Sequence, residues 1–277
     1  MHLTREHIDA YCLALLADEH SAGTISKYRR DLTAFARWLD GRAVTKESAT
    51  AWKACLLNRD YAPRTVNSML AAVNGFCRFA GLPIKLKFLS IQRQIFRDSA
   101  KELTKEEYDR LLAAARESDQ ERLALIMETL CATGIRVSEL RYITVEAALA
   151  GRATITLKGK IRTILLPAKL CRKLVKYARK QKIAAGEIFL TSSGRGISRR
   201  QVWFELKRLC KAAGVEPTKV FPHNLRHLFA TTFYHASRDI VRLADMLGHS
   251  SIDTTRIYLT VSGTEQQRQL DRLGLVS

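Results

Sequence analysis

Two stretches near the end of the chain hold the side chains best suited to chemistry. In Phe221-Pro222-His223-Asn224-Leu225-Arg226-His227, a histidine and an arginine lie three residues apart, which puts His223 and Arg226 on one helix face. In Leu247-Gly248-His249-Ser250 a second histidine follows a glycine-marked helix end, and Tyr258 comes nine residues later. Far upstream, Arg136 and Glu139 are i, i+3 neighbours, so the carboxylate can orient the guanidinium. Two imidazoles, a guanidinium and a phenol would make sense converging on a phosphodiester. That bond is inert in water and needs a nucleophile, a leaving-group acid and charge stabilisation. Taken singly, each piece has a bland reading: Tyr258 as a core tyrosine, Arg136 as a solvated helix residue.

Charge points the same way. The 277 residues carry 46 Lys and Arg against 27 Asp and Glu, a net charge of +19. Such an excess favours a polyanionic partner through attraction and counterion release, and predicts binding that weakens steeply with salt. The alternative is a merely basic surface. The hydrophobic share of 47% is ordinary for a globular protein. Six cysteines (Cys12, Cys55, Cys77, Cys131, Cys171, Cys210) are scattered without metal-ligand spacing, which suits free thiols in a reducing compartment. No secretory segment opens the chain and no apolar run approaches a membrane span, so a cytoplasmic protein without a membrane partner is expected.

The elements that must position these residues can be read in order. Residues 1–82 form an expected helical domain. Its first stripe is Ile8, Tyr11, Cys12, Leu15 and Leu16. The second, with Thr24 as a plausible N-cap, is Ile25, Tyr28, Leu32, Phe35 and Leu39. A third helix starts near Thr45 and carries Trp52 and Leu56, and Pro63 opens a fourth carrying Val66, Met69, Leu70, Val73, Phe76 and Cys77. Lys27, Arg29, Arg30, Arg37, Arg64 and Arg78 lie mostly off the stripes and could straddle a DNA backbone. Residues 83–103 read as an extended linker crossing a polyanion, or else as a connection packed on its own domain. Thr104-Lys105-Glu106-Glu107 is a capping box that opens a second domain, 104–277. A helix ends at Thr133-Gly134, the run Ile135 to Leu140 reads as the start of another, and a hairpin with Lys158-Gly159-Lys160 at its tip follows. Glu187–Leu190 reads as a short strand. Helices resume around His223 and again before Gly248, and Ser250 or Ser251 caps the helix expected to carry Tyr258. The tail beyond Val261 reads as a short polar helix that packs on its own domain or docks on a neighbour.

Five pieces in order carry a resemblance: Ala132-Thr133-Gly134-Ile135-Arg136-Val137-Ser138-Glu139-Leu140, the Lys158-Gly159-Lys160 hairpin, His223-Asn224-Leu225-Arg226-His227, Leu247-Gly248-His249-Ser250-Ser251, and Thr254-Thr255-Arg256-Ile257-Tyr258. Together they resemble the tyrosine recombinase family, the integrases and Xer-type resolvases. The resemblance implies a mainly α fold: an all-helical core-DNA-binding domain, then a mostly α catalytic domain with a small antiparallel β-hairpin. It implies a site-specific recombinase that cleaves and rejoins double-stranded DNA through a 3′-phosphotyrosyl link and a Holliday junction, in a tetramer on DNA. Tyr258 would be the nucleophile, His223 its general base, and Arg136 and Arg226 the clamp on the non-bridging oxygens. Lys158 would protonate the leaving 5′-oxygen, His249 would hydrogen-bond the phosphate, and Glu139 would support the site. No metal and no cofactor is implied, because the cations are side chains. An accessory DNA-bending or directionality protein is a conceivable further partner.

The hairpin departs from the common Gly-Lys-Gly-x-Lys pattern: it is a residue shorter, and Leu157 replaces a glycine. Lys160 is therefore the alternative to Lys158. His227 is read as structural or as supporting its neighbours. Two other functions share these residues: relaxation of supercoils by a type IB topoisomerase, and DNA binding by a regulator on a degenerate integrase fold. The helical first domain and polar tail favour the recombinase, and the full residue set disfavours the regulator. No β-rich arm-binding module is read at the N-terminus, which suggests a Xer-type or small mobile-element system.

Overall fold

A computed structural model describes residues 1–92, 99–157, 160–249, 251–258, 267–268 and 271–273. The chain divides into two compact units, Met1–Arg93 and Gln94–Ser277.

The first unit is four helices: α1 (Arg5–Ala17), α2 (Ala22–Leu39), α3 (Lys46–Asn58) and α4 (Pro63–Phe79). Their apolar stripes meet in one core that includes the fully buried Leu32, Phe35, Leu70, Val73 and Phe76. Each such side chain contributes about 1.5–3 kcal/mol by leaving water. Two expectations need correcting. Leu16 is 61% exposed, because α1 packs a narrower stripe of Ile8, Tyr11, Cys12 and Leu15. The N-cap of α2 is Ser21 rather than Thr24: the Ser21 hydroxyl accepts the Thr24 amide, so Thr24 already lies within the first turn. Of the basic residues off the stripes, Lys27 and Arg30 pair with buried Asp31 and Arg29 pairs with Asp9.

Residues 83–92, after α4, form no helix or strand and are stapled to that helix. The Asn74 side chain takes both backbone polar groups of Leu86 (2.7 and 2.9 Å), and Asn67 takes both of Leu89 (2.7 and 2.9 Å). An amide side chain presents one donor and one acceptor, as a neighbouring strand would.

The second unit opens on α5 (Lys105–Glu117), capped by the Thr104–Glu107 box, and continues through α6 (Glu121–Thr133) and α7 (Val145–Ala150). The antiparallel pair β1 (Arg152–Leu157) and β2 (Lys160–Leu165) follows, with Ile155 opposite Arg162. Then come α8 (Ala168–Lys180), α9 (Arg199–Ala213), α10 (Pro222–Ser237), α11 (Ile240–Leu247) and the single turn α12 (Ile252–Thr255). Residues 187–190 form no strand; they make two isolated bridges, Thr144 to Glu187 and Leu190 to Gly196. The helix expected to start at Ile135–Leu140 is instead a 3₁₀ segment, Val137–Tyr142, and Tyr258 lies on another, Arg256–Tyr258. Most of the tail beyond Val261 falls outside the described residues.

A large core gathers α5 to α9 around Ile126, Met127 and Leu130 on α6. A smaller one joins Phe229, Ala230, Leu243, Leu247 and Tyr258, beneath the residues of interest. Among the described residues no helix is long and apolar enough to cross a membrane, and the six cysteines are unpaired.

Candidate active site

The site is built on two helix ends and one helix start. α6 stops at Gly134, whose φ of +63° is the left-handed geometry that glycine reaches without strain. A Cβ there would come within 2.3 Å of the Phe229 ring, so the glycine also lets α6 and α10 approach. The next turn belongs to Glu139, which is 1% exposed. One of its oxygens accepts the Arg136 amide at 2.7 Å and the other the Arg136 guanidinium at 3.1 Å. These bonds hold Arg136, 42% exposed, at the start of the 3₁₀ turn Val137–Tyr142.

α10 starts at Pro222, so His223 and Arg226 leave its first turns on one face. Asn224 fixes that start by donating to the carbonyls of Lys101 and Lys219, both at 2.8 Å. Arg226 is 2% exposed. Its guanidinium donates to the Gly134 carbonyl at 2.6 Å and the Leu247 carbonyl at 2.8 Å, and meets His249 Nε2 at 3.0 Å. Burial, and then the positive charge of Arg136, pull its pKa down to about 10, so it stays charged at neutral pH.

α11 ends at Gly248, again left-handed, and the turn delivers His249. Its Nδ1 lies 2.8 Å from the hydroxyl of Thr255, which is fully buried. Arg226 can only donate, so Nε2 is the acceptor and Nδ1 carries the proton toward Thr255. Burial and then Arg226, Arg136 and Arg162 push the His249 pKa down to about 4. His223 is lowered too, by desolvation first and then by Arg226, Arg199 and Arg136. Both imidazoles are therefore neutral at physiological pH.

Tyr258 is 3% exposed and stacks on His249, with ring centroids 6.2 Å apart and planes at 11°. His227 meets it edge-on at 4.9 Å, and the phenol lies within hydrogen-bonding reach of Arg226. The residues line a cleft of about 770 Å³ that holds Arg136, His223, Arg226, His249 and Tyr258 together, with Arg199 and Trp203 of α9 on its wall. The fold thus gathers Arg136, Glu139, His223, Arg226, His249 and Tyr258 in one place. Lys158 lies outside the described residues; Lys160 is the first residue of β2.

Three participants escaped sequence reasoning. Thr255 anchors His249. Arg199 sits close enough to lower His223. Arg162 donates to Glu139 at 2.7 Å and to the Met246 carbonyl at 2.6 Å. Arg162 carried no local signal, because its partners are 23 and 84 residues away. Glu139 is the lone carboxylate bonded to these arginines among the described residues. Such an excess of fixed cations around neutral imidazoles and a phenol is built to receive an anion.

The chain is similar to known proteins along most of its length. Residues 101–265 match the phage integrase family, and residues 8–81 match its N-terminal SAM-like domain. A tyrosine recombinase XerA of Pyrococcus furiosus is 30% identical over 99% of this chain and 96% of its own length. A tyrosine recombinase XerC of Roseiflexus castenholzii is 32% identical, covering 91% of this chain and 88% of its own. Among solved structures, a lambda integrase tetramer bound to a Holliday junction superposes with a TM-score of 0.72 at 20% identity, over 91% of this chain and 76% of that one.

Proposed function

This chain belongs to the phage integrase family of tyrosine recombinases, and on that premise we propose that Tyr258 cleaves double-stranded DNA while the surrounding cations hold the scissile phosphate. The supporting observation is the meeting of Tyr258 and Arg226 in one cleft with Arg136, His223 and His249. Tyr258 oxygen attacks phosphorus and gives its proton to His223. An ordinary phenol has a pKa of about 10, so it needs that base. Arg136 and Arg226 take the non-bridging oxygens, where planar, permanently charged forks suit a phosphate. The bond from phosphorus to the 5′-oxygen breaks, and Lys158, with Lys160 as the alternative, protonates the leaving oxygen. The 3′-phosphotyrosyl link conserves the bond energy, and attack by a 5′-hydroxyl of the partner strand reverses the steps. Glu139 holds Arg136 in place.

Strand exchange in this reading runs through a Holliday junction in a synaptic tetramer, as the lambda integrase assembly superposed above suggests. The first unit serves as the core-DNA-binding domain, and an accessory DNA-bending or directionality protein completes the complex where the site requires one. The protein acts where its DNA lies, in the cytoplasm.

The test is covalent trapping. Wild type and Tyr258→Phe are incubated with nicked suicide duplexes tiled across the source DNA, in EDTA, and run on a denaturing gel. A protein–DNA band from wild type alone is expected; a band that survives Tyr258→Phe would mean another nucleophile. A two-site exchange assay then separates recombination from simple relaxation. Lys158→Ala should lose cleavage of ordinary DNA yet cleave a 5′-bridging sulfur substrate, whose thiolate leaves without an acid. If Lys160→Ala behaves that way instead, Lys160 is the acid.

A further inference from the structure

The C-terminal end of α11 is capped in an unusual way. Its Met246 carbonyl accepts from Arg162 at 2.6 Å and the adjacent Leu247 carbonyl accepts from Arg226 at 2.8 Å. Two guanidinium groups thus hold consecutive carbonyls where the helix dipole is negative. The turn just beyond is the one that delivers His249.

Arg226 already has a role in the proposed reaction. Arg162 has none. It sits on β2 and is largely buried, its side chain 16% exposed. Its Nη1 reaches Met246, while its Nη2 reaches Oε2 of Glu139 at 2.7 Å. The same Glu139 oxygen accepts the Arg136 amide, and the other accepts the Arg136 guanidinium. The arginine fork therefore spans the His249 turn and the carboxylate behind Arg136, a second tie beside the one that Arg226 makes between the Gly134 and Leu247 carbonyls.

The backbone is shaped around this fork. A Cβ on Gly248 would lie 2.7 Å from Arg162 Cδ, 2.8 Å from Nη1 and 2.9 Å from Nε. The glycine before His249 thus serves two ends: it adopts φ +63° and it leaves room for the guanidinium. Neutralising Glu139 alone would not require this, since Arg136 pairs with that carboxylate directly. The bond to Met246 is what ties Glu139 to the His249 turn.

We propose that Arg162 is a positioning residue for the phosphate pocket, holding the His249 turn and the Arg136 guanidinium in register by bonding Met246 and Glu139 at once. It touches no substrate. The inference rests on the reading of the cleft as a phosphodiester site.

The consequence is specific to charge on the non-bridging oxygens, which Arg136, Arg226 and His249 address. Full-length Arg162→Met is compared with wild type on three trapping substrates: the ordinary phosphate, a methylphosphonate that removes the non-bridging charge, and the 5′-bridging sulfur. Misplacement of the pocket by about 1 Å should slow cleavage of the ordinary phosphate on the order of 100-fold. On the methylphosphonate, which needs no anion clamp, the gap to wild type should shrink to within about 10-fold. Arg162→Lys, which can make one of the two bonds, should fall between. Gly248→Ala, which crowds Arg162 without removing it, should show the same substrate pattern and serves where Arg162→Met fails to fold. An equal loss on all three substrates would reduce Arg162 to a structural ion pair and overturn the proposal. Recovery on the bridging sulfur alone would overturn it too, by placing Arg162 behind the hairpin acid. No covalent product from wild type on any substrate would sink the functional reading itself, a failure that the wild-type lane identifies.

Discussion

Glu139 offers the sharpest test of how the second unit is held together. Its carboxylate is 1% exposed and accepts three bonds: the Arg136 amide at 2.7 Å, the Arg136 guanidinium at 3.1 Å and the Arg162 guanidinium at 2.7 Å. Glu139→Ala removes the only counter-charge these arginines have here among the described residues. Breaking a buried pair from one side costs about 3–5 kcal/mol, because the partner stays desolvated. Arg136 is 42% exposed and recovers water, while Arg162 at 16% does not. The cost should therefore sit near the low end, about 3 kcal/mol. For a unit the size of Gln94–Ser277 that corresponds to a fall in Tm of roughly 6–12 °C. Calorimetry of the full chain would measure it, at low and at 0.5 M salt, since a pair this buried is screened little. Adding Arg162→Met to Glu139→Ala should recover at least about 1.5 kcal/mol relative to the sum of the single changes. A Tm shift below about 2 °C, or strict additivity, would refute the argument: Glu139 would then be solvated in practice and the three bonds worth no more than surface contacts.

Other outcomes follow from particular atoms. Gly134→Ala should cost about 2–4 kcal/mol, since it combines left-handed strain with a clash on Phe229, whereas Gly151→Ala, equally left-handed (φ +70°) but with nothing within 4 Å, should cost only about 1; urea melts of the two variants compare them directly. Because the folded His249 pKa is depressed to about 4, the unfolded chain binds the extra proton below about pH 6.5, so this group's contribution is present above that pH and lost as pH falls toward 4. It amounts to about 2–3 kcal/mol after allowing for partial exposure, and His249→Gln should flatten the stability curve over that window; a variant curve parallel to wild type would contradict the assignment. Asn74→Ala and Asn67→Ala should each release the stretch after α4 and speed proteolysis between Pro83 and Gln92, because each removes two backbone bonds worth about 1 kcal/mol apiece. DNA affinity should fall steeply between 50 and 200 mM salt, by roughly 10³-fold or more if six or more phosphates are neutralised.

Local signals were legible wherever neighbours in sequence are neighbours in space. The Thr104–Glu107 box, the glycine stop at Gly134, the Pro63 start and the stripe of α4 all depend on residues within a turn or two of each other, and each is legible in the sequence. So was the Arg136–Glu139 pair. The misreadings are local contests that the pattern cannot arbitrate. Ser21 and Thr24 are both good caps, and only the hydrogen bond between them shows which lies outside the helix. The Arg136–Glu139 pair looks like a helix start, yet the turn it opens, Val137–Tyr142, is 3₁₀. Leu16 has the right spacing for the stripe of α1, but no neighbouring helix covers it.

The sequence by itself determined which groups could do chemistry: His223, Arg226, His249 and Tyr258 in order, Arg136 with its carboxylate, and a charge of +19 that calls for a polyanion. Side-chain type and spacing along the chain are enough for that, since they set reactivity and helix face. Only the tertiary structure decided how those groups are held. It buried Arg226 against the carbonyls of Gly134 and Leu247, gave His249 its tautomer through Arg226, and brought Arg162 across 84 residues to Met246. Those are meetings of backbone carbonyls and side chains from separate elements, and no periodicity encodes them. They arise when packed helices bring their ends together, and a buried polar group then takes the partner it finds there.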